Sequence, residues 1–154
     1  MSTEIERKFL TQSSEWKSCG IRKFYRQGYL SINKNRTIRI RVVEDKGFMT
    51  IKSAPIGFTR NEFQYQIPFD DAIEIINSLC EKPIIEKYRT SIKINEVTWE
   101  VDEFLGDNAG LIIAEIELND EKQKVALPDW IGEEITNDYR YSNSNLVKHP
   151  FKDW

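Results

Sequence analysis

The sequence predicts an α+β protein dominated by antiparallel strands, curled into a barrel or a strongly bent sheet with few helices. Three observations predict it. Short runs of alternating apolar and polar residues recur along the chain, each the mark of a half-buried strand. Turn residues separate several of them, as in Glu44-Asp45-Lys46-Gly47 and Asp107-Asn108-Ala109-Gly110. Helical periodicity is convincing in only one interior stretch, which argues against strands alternating with helices.

The alternating runs are Glu4 to Phe9, Arg22 to Ile32, Thr37 to Val43, Phe48 to Ser53, Asn61 to Ile67, Ile85 to Ile94, Thr98 to Phe104 and Leu111 to Leu118. The helix after the fifth run has Asp70 as its expected cap and Phe69 as a staple. Ala72, Ile73, Ile76 and Leu79 form its apolar stripe, and Pro83 lies past its end. A second helix is expected from about Tyr139 to Lys148, stopped by Pro150, with Asp129 to Gly132 before it as a loop or single turn.

Length and composition suit one domain over residues 1–154: the chain has 154 residues, 40% hydrophobic and 31% charged. A net charge of -3 offers no global basic field for nucleic acid, so a polyanion site must be a local cluster. No apolar run suits a membrane helix or a secretory leader. Cys19 and Cys80, far apart, read as free thiols, and a cytoplasmic location is expected.

Residues two apart on a strand share a face. By this count Glu4, Glu6 and Lys8 lie together, as do Arg39 with Arg41, Lys87 with Arg89, Glu100 with Asp102 and Glu115 with Glu117. Lys52 and Glu62 fall on the same kind of face. Such a face is almost wholly ionised, and like charges repeat along single strands, which gains little from solvent. Gathered on a concave surface, the basic set needs an anion and the acidic set needs cations. Guanidinium forks match phosphate oxygens, and carboxylates suit Mg²⁺ or Mn²⁺. Alternation alone does not tell whether this face points in or out.

Glu4-Ile5-Glu6-Arg7-Lys8 resembles the ExExK signature of the CYTH superfamily, the triphosphate tunnel metalloenzymes. Arg39-Ile40-Arg41 resembles its RxR strand, Lys52 its single lysine, Arg60-Asn61-Glu62 its R-x-E segment and Lys87-Tyr88-Arg89 its KxR strand. Trp99 to Phe104 and Ala114 to Leu118 resemble its two acidic strands, and Glu134-Ile135-Thr136 with Arg140 to Asn143 its C-terminal segment. The resemblance implies a closed barrel of about eight strands whose tunnel binds a triphosphate and Mg²⁺ or Mn²⁺, with a C-terminal helix near one mouth. It implies phosphate contacts from Lys8, Arg39, Arg41, Lys52, Lys87 and Arg89, with Lys8, Lys52 and Lys87 as catalytic candidates. It implies metal ligation by Glu4, Glu6, Glu115 and Glu117, then Asp102 and Glu62. Gln64 and Gln66 stand where many members carry acids, a change in tunnel charge.

The activity implied is hydrolysis of a triphosphate, inorganic tripolyphosphate first, by in-line attack of water on a terminal phosphorus. Alternatives are a class IV-type adenylyl cyclase, a thiamine or nucleoside triphosphatase, and a polyphosphate or nucleotide-binding module without turnover. No glycine-rich phosphate loop is present, which excludes a P-loop NTPase. His149 is expected at the surface, and Trp16, Trp99 and Trp130 in the packing. An outward apolar face leaves room for a homodimer.

Overall fold

The structure is a computed structural model and describes residues 2–154. Its strands are β1 (Ser2–Thr11), β2 (Ile21–Ser31), β3 (Arg36–Val43), β4 (Lys46–Ser53), β5 (Thr59–Ile67), β6 (Ile85–Ile94), β7 (Val97–Phe104), β8 (Ile112–Glu117) and β9 (Ile131–Glu134). The helices are α1 (Phe69–Ser78) and α2 (Asn143–Lys148). Among the described residues the strands run in the order β5-β4-β3-β2-β6-β7-β8-β1-β9, and β5 also pairs with β1. That last pairing, Ser2 to Ile5 against Glu62 to Thr59, closes β1 to β8 into an antiparallel barrel. The expected eight-stranded closure is therefore present, and β9 extends it along the second half of β1.

The apolar faces point outward and are covered in separate patches. α1 lays Ala72 and Ile76 on Ile40 and Val42 of β3. Gly47 of β4 permits this approach, because a Cβ there would come within 2.6 Å of the Ala72 side chain. Trp16, from a short 3-10 turn, and Trp130 cover β1, β7 and β8 through Phe9, Trp99 and Ile116. Trp99 meets Phe9 and Trp130 edge to face, each at a ring separation of 5.7 Å.

Inward positions are charged along most of the barrel but turn apolar at one end. Leu10, Ile85, Phe104 and Ile113 follow Lys8, Lys87, Asp102 and Glu115 at two-residue steps, and they pack with Leu146 and Val147 of α2. The C-terminal helix thus seats on an apolar layer laid across the barrel end.

Three local expectations are corrected. Pro68, with its extended ψ of 135°, occupies the N-cap of α1, so Asp70 does not cap it and Phe69 is its first residue. Asp70 and Asp71 instead sit in the first turn, where the helix dipole favours acids. The expected helix from Tyr139 to Lys148 is split. Asp138 accepts from the Arg140 N–H to start a 3-10 turn at Tyr139–Tyr141, and Ser142 accepts from the Asn145 N–H to start α2. Ile131 and Gly132 belong to β9, a strand too short for its alternation to register.

Trp99 has no exposed surface, so Trp99→Ala removes a large buried ring. The expected loss is about 3–5 kcal/mol of unfolding free energy in a denaturant titration. Ile56→Ala, at a position 84% exposed, should change it by no more than about 0.5 kcal/mol.

Candidate active site in the barrel interior

The charged inward face lines a cavity of about 290 Å³. Of the expected site residues it is lined by Lys8, Arg39, Arg41, Lys52, Lys87 and Arg89 on the basic side, and by Glu4, Glu6, Glu62, Glu115 and Glu117 on the acidic side. Asp102 stands behind this lining and is fully buried. Strand register sets the neighbours, since directly opposed residues point the same way. Lys52 faces Glu62, Arg89 faces Asp102, Lys8 faces Glu115 and Glu6 faces Glu117.

Asp102 organises the deep wall. One of its oxygens accepts from Arg89 Nε at 2.7 Å; the other accepts from Arg89 at 2.9 Å and from Lys87 Nζ at 2.7 Å. Burial alone would raise the Asp102 carboxyl, but Arg89 and Lys87 hold it well below the usual carboxylate range. Burial pushes the Lys87 ammonium down to about 7, helped by Arg89 and Arg41 and resisted by Asp102. Lys87 also donates to Asn143 Oδ1 at 3.0 Å, at the first residue of α2. Arg89 reaches Glu100 at 3.0 Å as well, so Glu100, not counted among the site residues from the sequence, lines the cavity.

At β1, Lys52 Nζ contacts both oxygens of Glu4, at 3.0 and 2.8 Å, and Glu62 at 3.5 Å. Burial opposes ionisation of Glu4, yet Lys52 and Arg60 outweigh it and lower its pKa. Glu117 is different. Burial, then Glu4, Glu62, Glu6 and Glu100, raise its pKa. Such a carboxylate set fits a divalent cation: hard oxygen donors share one cavity, and one of them is held against its neighbours' charge. Among the described residues, however, no group of three acids stands ready-made as a metal cage. Glu4 is already occupied by Lys52 and Arg60.

Arg39 and Arg41 have no such direct partner. Among the described residues no carboxylate pairs with either within 4.0 Å. Arg39 donates to Thr50 Oγ1 at 3.1 Å, Thr50 donates on to Gln64 Oε1 at 3.2 Å, and the Arg39 Nε is buried with no partner. The Gln64 amide thus takes part in this wall, where an acid would have neutralised it. Burial, with Arg39 and Arg89 nearby, pushes the Arg41 guanidinium down to about 9.

Four residues in or behind the cavity wall were given no role from the sequence. Arg60 shares a face with Glu62 two residues on, so alternation was the available signal. It donates to Glu4 at 3.2 Å. Gln27, fully buried, accepts from Arg41 at 3.2 Å and donates to Asn143 at 3.1 Å. Tyr25 places its ring under both Arg41 and Arg89, at 5.0 and 5.1 Å. Asn143 joins this network from α2; it closes the Arg140 to Asn143 motif, which by itself gives it no role. Tyr29 also lines the cavity, and His149 is exposed as expected.

The CYTH domain profile matches residues 2–151. The chain belongs to the CYTH domain family. A relative from Acetivibrio thermocellus named inorganic triphosphatase is 51% identical over 154 residues, covering 100% of this chain and 99% of the relative. Another of that name, from Nitrosomonas europaea, is 35% identical over 152 residues, 94% of this CYTH chain and 97% of the relative. A solved structure of an inorganic triphosphatase superposes with a TM-score of 0.64 at 33% identity, over 94% of this chain and 97% of that one. A Pyrococcus furiosus structure at 22% identity, TM-score 0.60, covers 77% of this chain and 80% of its own and shares the fold.

The Asp102 cluster yields a stability prediction. Asp102→Asn leaves Lys87 and Arg89 buried without their counter-charge, and should cost about 3–5 kcal/mol in denaturant unfolding at pH 7. Because the native Asp102 pKa is depressed, its contribution is present above the unfolded value of about 4 and fades as pH falls below it. The difference between wild type and variant should therefore narrow below about pH 4. A pH-independent difference would contradict the charge-based account.

Proposed function

We propose that this protein is a divalent-metal-dependent hydrolase of a triphosphate, with inorganic tripolyphosphate as the preferred substrate. The observation that carries the reading is the pair Arg39 and Arg41: a buried and a half-buried guanidinium lining one cavity, neither with a carboxylate partner within 4.0 Å among the described residues, which an anion would complete. The full-length similarity to two inorganic triphosphatases supports the same choice.

In this proposal Arg39, Arg41, Lys8, Lys52, Lys87 and Arg89 bind and orient phosphate oxygens. Water attacks the terminal phosphorus in line with the bridging oxygen. The new P–O bond forms as the bridging P–O bond breaks, giving orthophosphate and pyrophosphate. Negative charge moves onto the departing oxygen, where buried cations stabilise it more strongly than water could. Lys87, with a pKa near neutrality, is suited to place a proton there. Lys8 and Lys52 contribute fixed charge.

Glu4, Glu6, Glu62, Glu115 and Glu117 are the residues that would hold Mg²⁺ or Mn²⁺. A metal bound there supplies phosphoryl polarisation and a more acidic water. Both oxygens of Asp102 are engaged by Lys87 and Arg89, so its part is to hold those two cations in place. Free thiols at Cys19 and Cys80 support a reducing, cytoplasmic setting.

Purified protein with Mg²⁺ or Mn²⁺ should release phosphate from tripolyphosphate faster than from ATP or thiamine triphosphate. Cyclic AMP from ATP, without phosphate from tripolyphosphate, would establish the cyclase instead; binding without product would establish a binding module. Arg41→Ala should lower kcat by about 10²–10³-fold. Glu6→Gln should lose most turnover while circular dichroism stays unchanged, and full activity in that variant would remove Glu6 from the metal set.

A further inference from the structure

Arg60 stands where two cavities meet. It lines the charged interior and also a second cavity of about 280 Å³, which opens between the β4–β5 connection and the segment after β9. Phe58, Pro55 and Tyr139 give that second space a more apolar wall. The closing register of the barrel sets Arg60 directly opposite Glu4. Its Nε contacts Glu4 at 3.2 Å and its Nη2 lies 3.7 Å from Glu6.

These contacts are loose for a guanidinium with carboxylates. Charge-assisted pairs usually close to about 2.7–2.9 Å, as Arg89 and Asp102 do in the same barrel at 2.7 and 2.9 Å. Arg60 spreads one guanidinium over two acids on different turns of the pleat and engages neither bidentately. Across the next seam, Glu6 faces Glu117 directly, a like-charge pair. Lys52 on Glu4 and Lys8, 3.6 Å from Glu6, share in neutralising the acids of β1, and Arg60 adds only its two long contacts.

We infer that Arg60 is a displaceable internal counter-ion: it occupies Glu4 and Glu6 until a divalent metal takes those carboxylates, and the released guanidinium then turns to the entering phosphate. The inference rests on the metal-dependent reading above and deepens it. Arg60 and the metal compete for the same oxygens, so metal loading and anion capture become coupled. Lys52 does not share this role, since it contacts Glu4 at 2.8 and 3.0 Å and Glu62 besides.

Binding of Mn²⁺ alone to the full chain, without phosphate, tests this by calorimetry and by the loss of the free-Mn²⁺ electron paramagnetic resonance signal. Arg60→Gln should bind Mn²⁺ about fivefold more tightly than wild type, at the lower end of ordinary coupling between sites. Arg7→Gln removes the same formal charge from β1, but Arg7 is paired outside the cavity with Glu134 at 2.8 Å. Its Mn²⁺ affinity should match wild type. Arg60→Lys, which cannot span both acids, should give a smaller gain and serves if the glutamine variant does not fold. Unchanged or weaker Mn²⁺ binding in the Arg60 variants overturns the inference, as does an equal gain in Arg7→Gln. Failure of wild type to take up Mn²⁺ at all overturns both this inference and the metal assignment.

Discussion

Asp102 carries no exposed surface, yet it is ionised and answers two buried cations at once. The interior depends on this interaction. Lys87 and Arg89 could not be held side by side without it, because each would repel the other and neither would have water. Lys87 in turn anchors Asn143, which positions α2 on the barrel end, and Asn143 meets Gln27, which orients Arg41. One carboxylate thereby connects the deep wall, the C-terminal helix and a guanidinium that has no acid of its own.

The opposite wall is built on a looser principle. Around Glu4 and Glu6 the charges are shared among Lys52, Arg60 and Lys8 at distances from 2.8 to 3.7 Å. Tight pairing fixes the Asp102 side and shared pairing leaves the β1 side adjustable. A site that binds anions and cations together needs this division. Rigid groups define the shape, and exchangeable ones accept the change in charge.

Much of this was legible in the sequence because a strand's two-residue period is unforgiving. Once Lys8, Arg39, Lys87 and Glu115 are placed on one face, closure brings them into one cavity. The direction of that face was not legible from alternation, and the family motifs supplied it. Closure itself joins Glu4 to Arg60, residues 56 positions apart, and no local pattern announces that seam. Arg60 appeared only inside the R-x-E motif, since the alternating run begins at Asn61 and gives it no face. The apolar end was missed for another reason. Leu10, Ile85, Phe104 and Ile113 obey the same parity as the charges, and parity alone does not mark where along a strand the charges stop. Caps misled as well: Pro68 displaced Asp70, and two successive caps at Asp138 and Ser142 divided what looked like one helix.

The interior charges come close to cancelling. Among the described residues seven basic side chains line the cavity, Lys8, Arg39, Arg41, Lys52, Arg60, Lys87 and Arg89, and six glutamates do so, with Asp102 behind them as a seventh acid. Such a chamber is an internal zwitterion and not an anion trap. A naked polyanion would unbalance it as badly as a naked metal ion would. The species it accommodates at least cost is their neutral combination, so the barrel selects for a salt: the anion already accompanied by its cations.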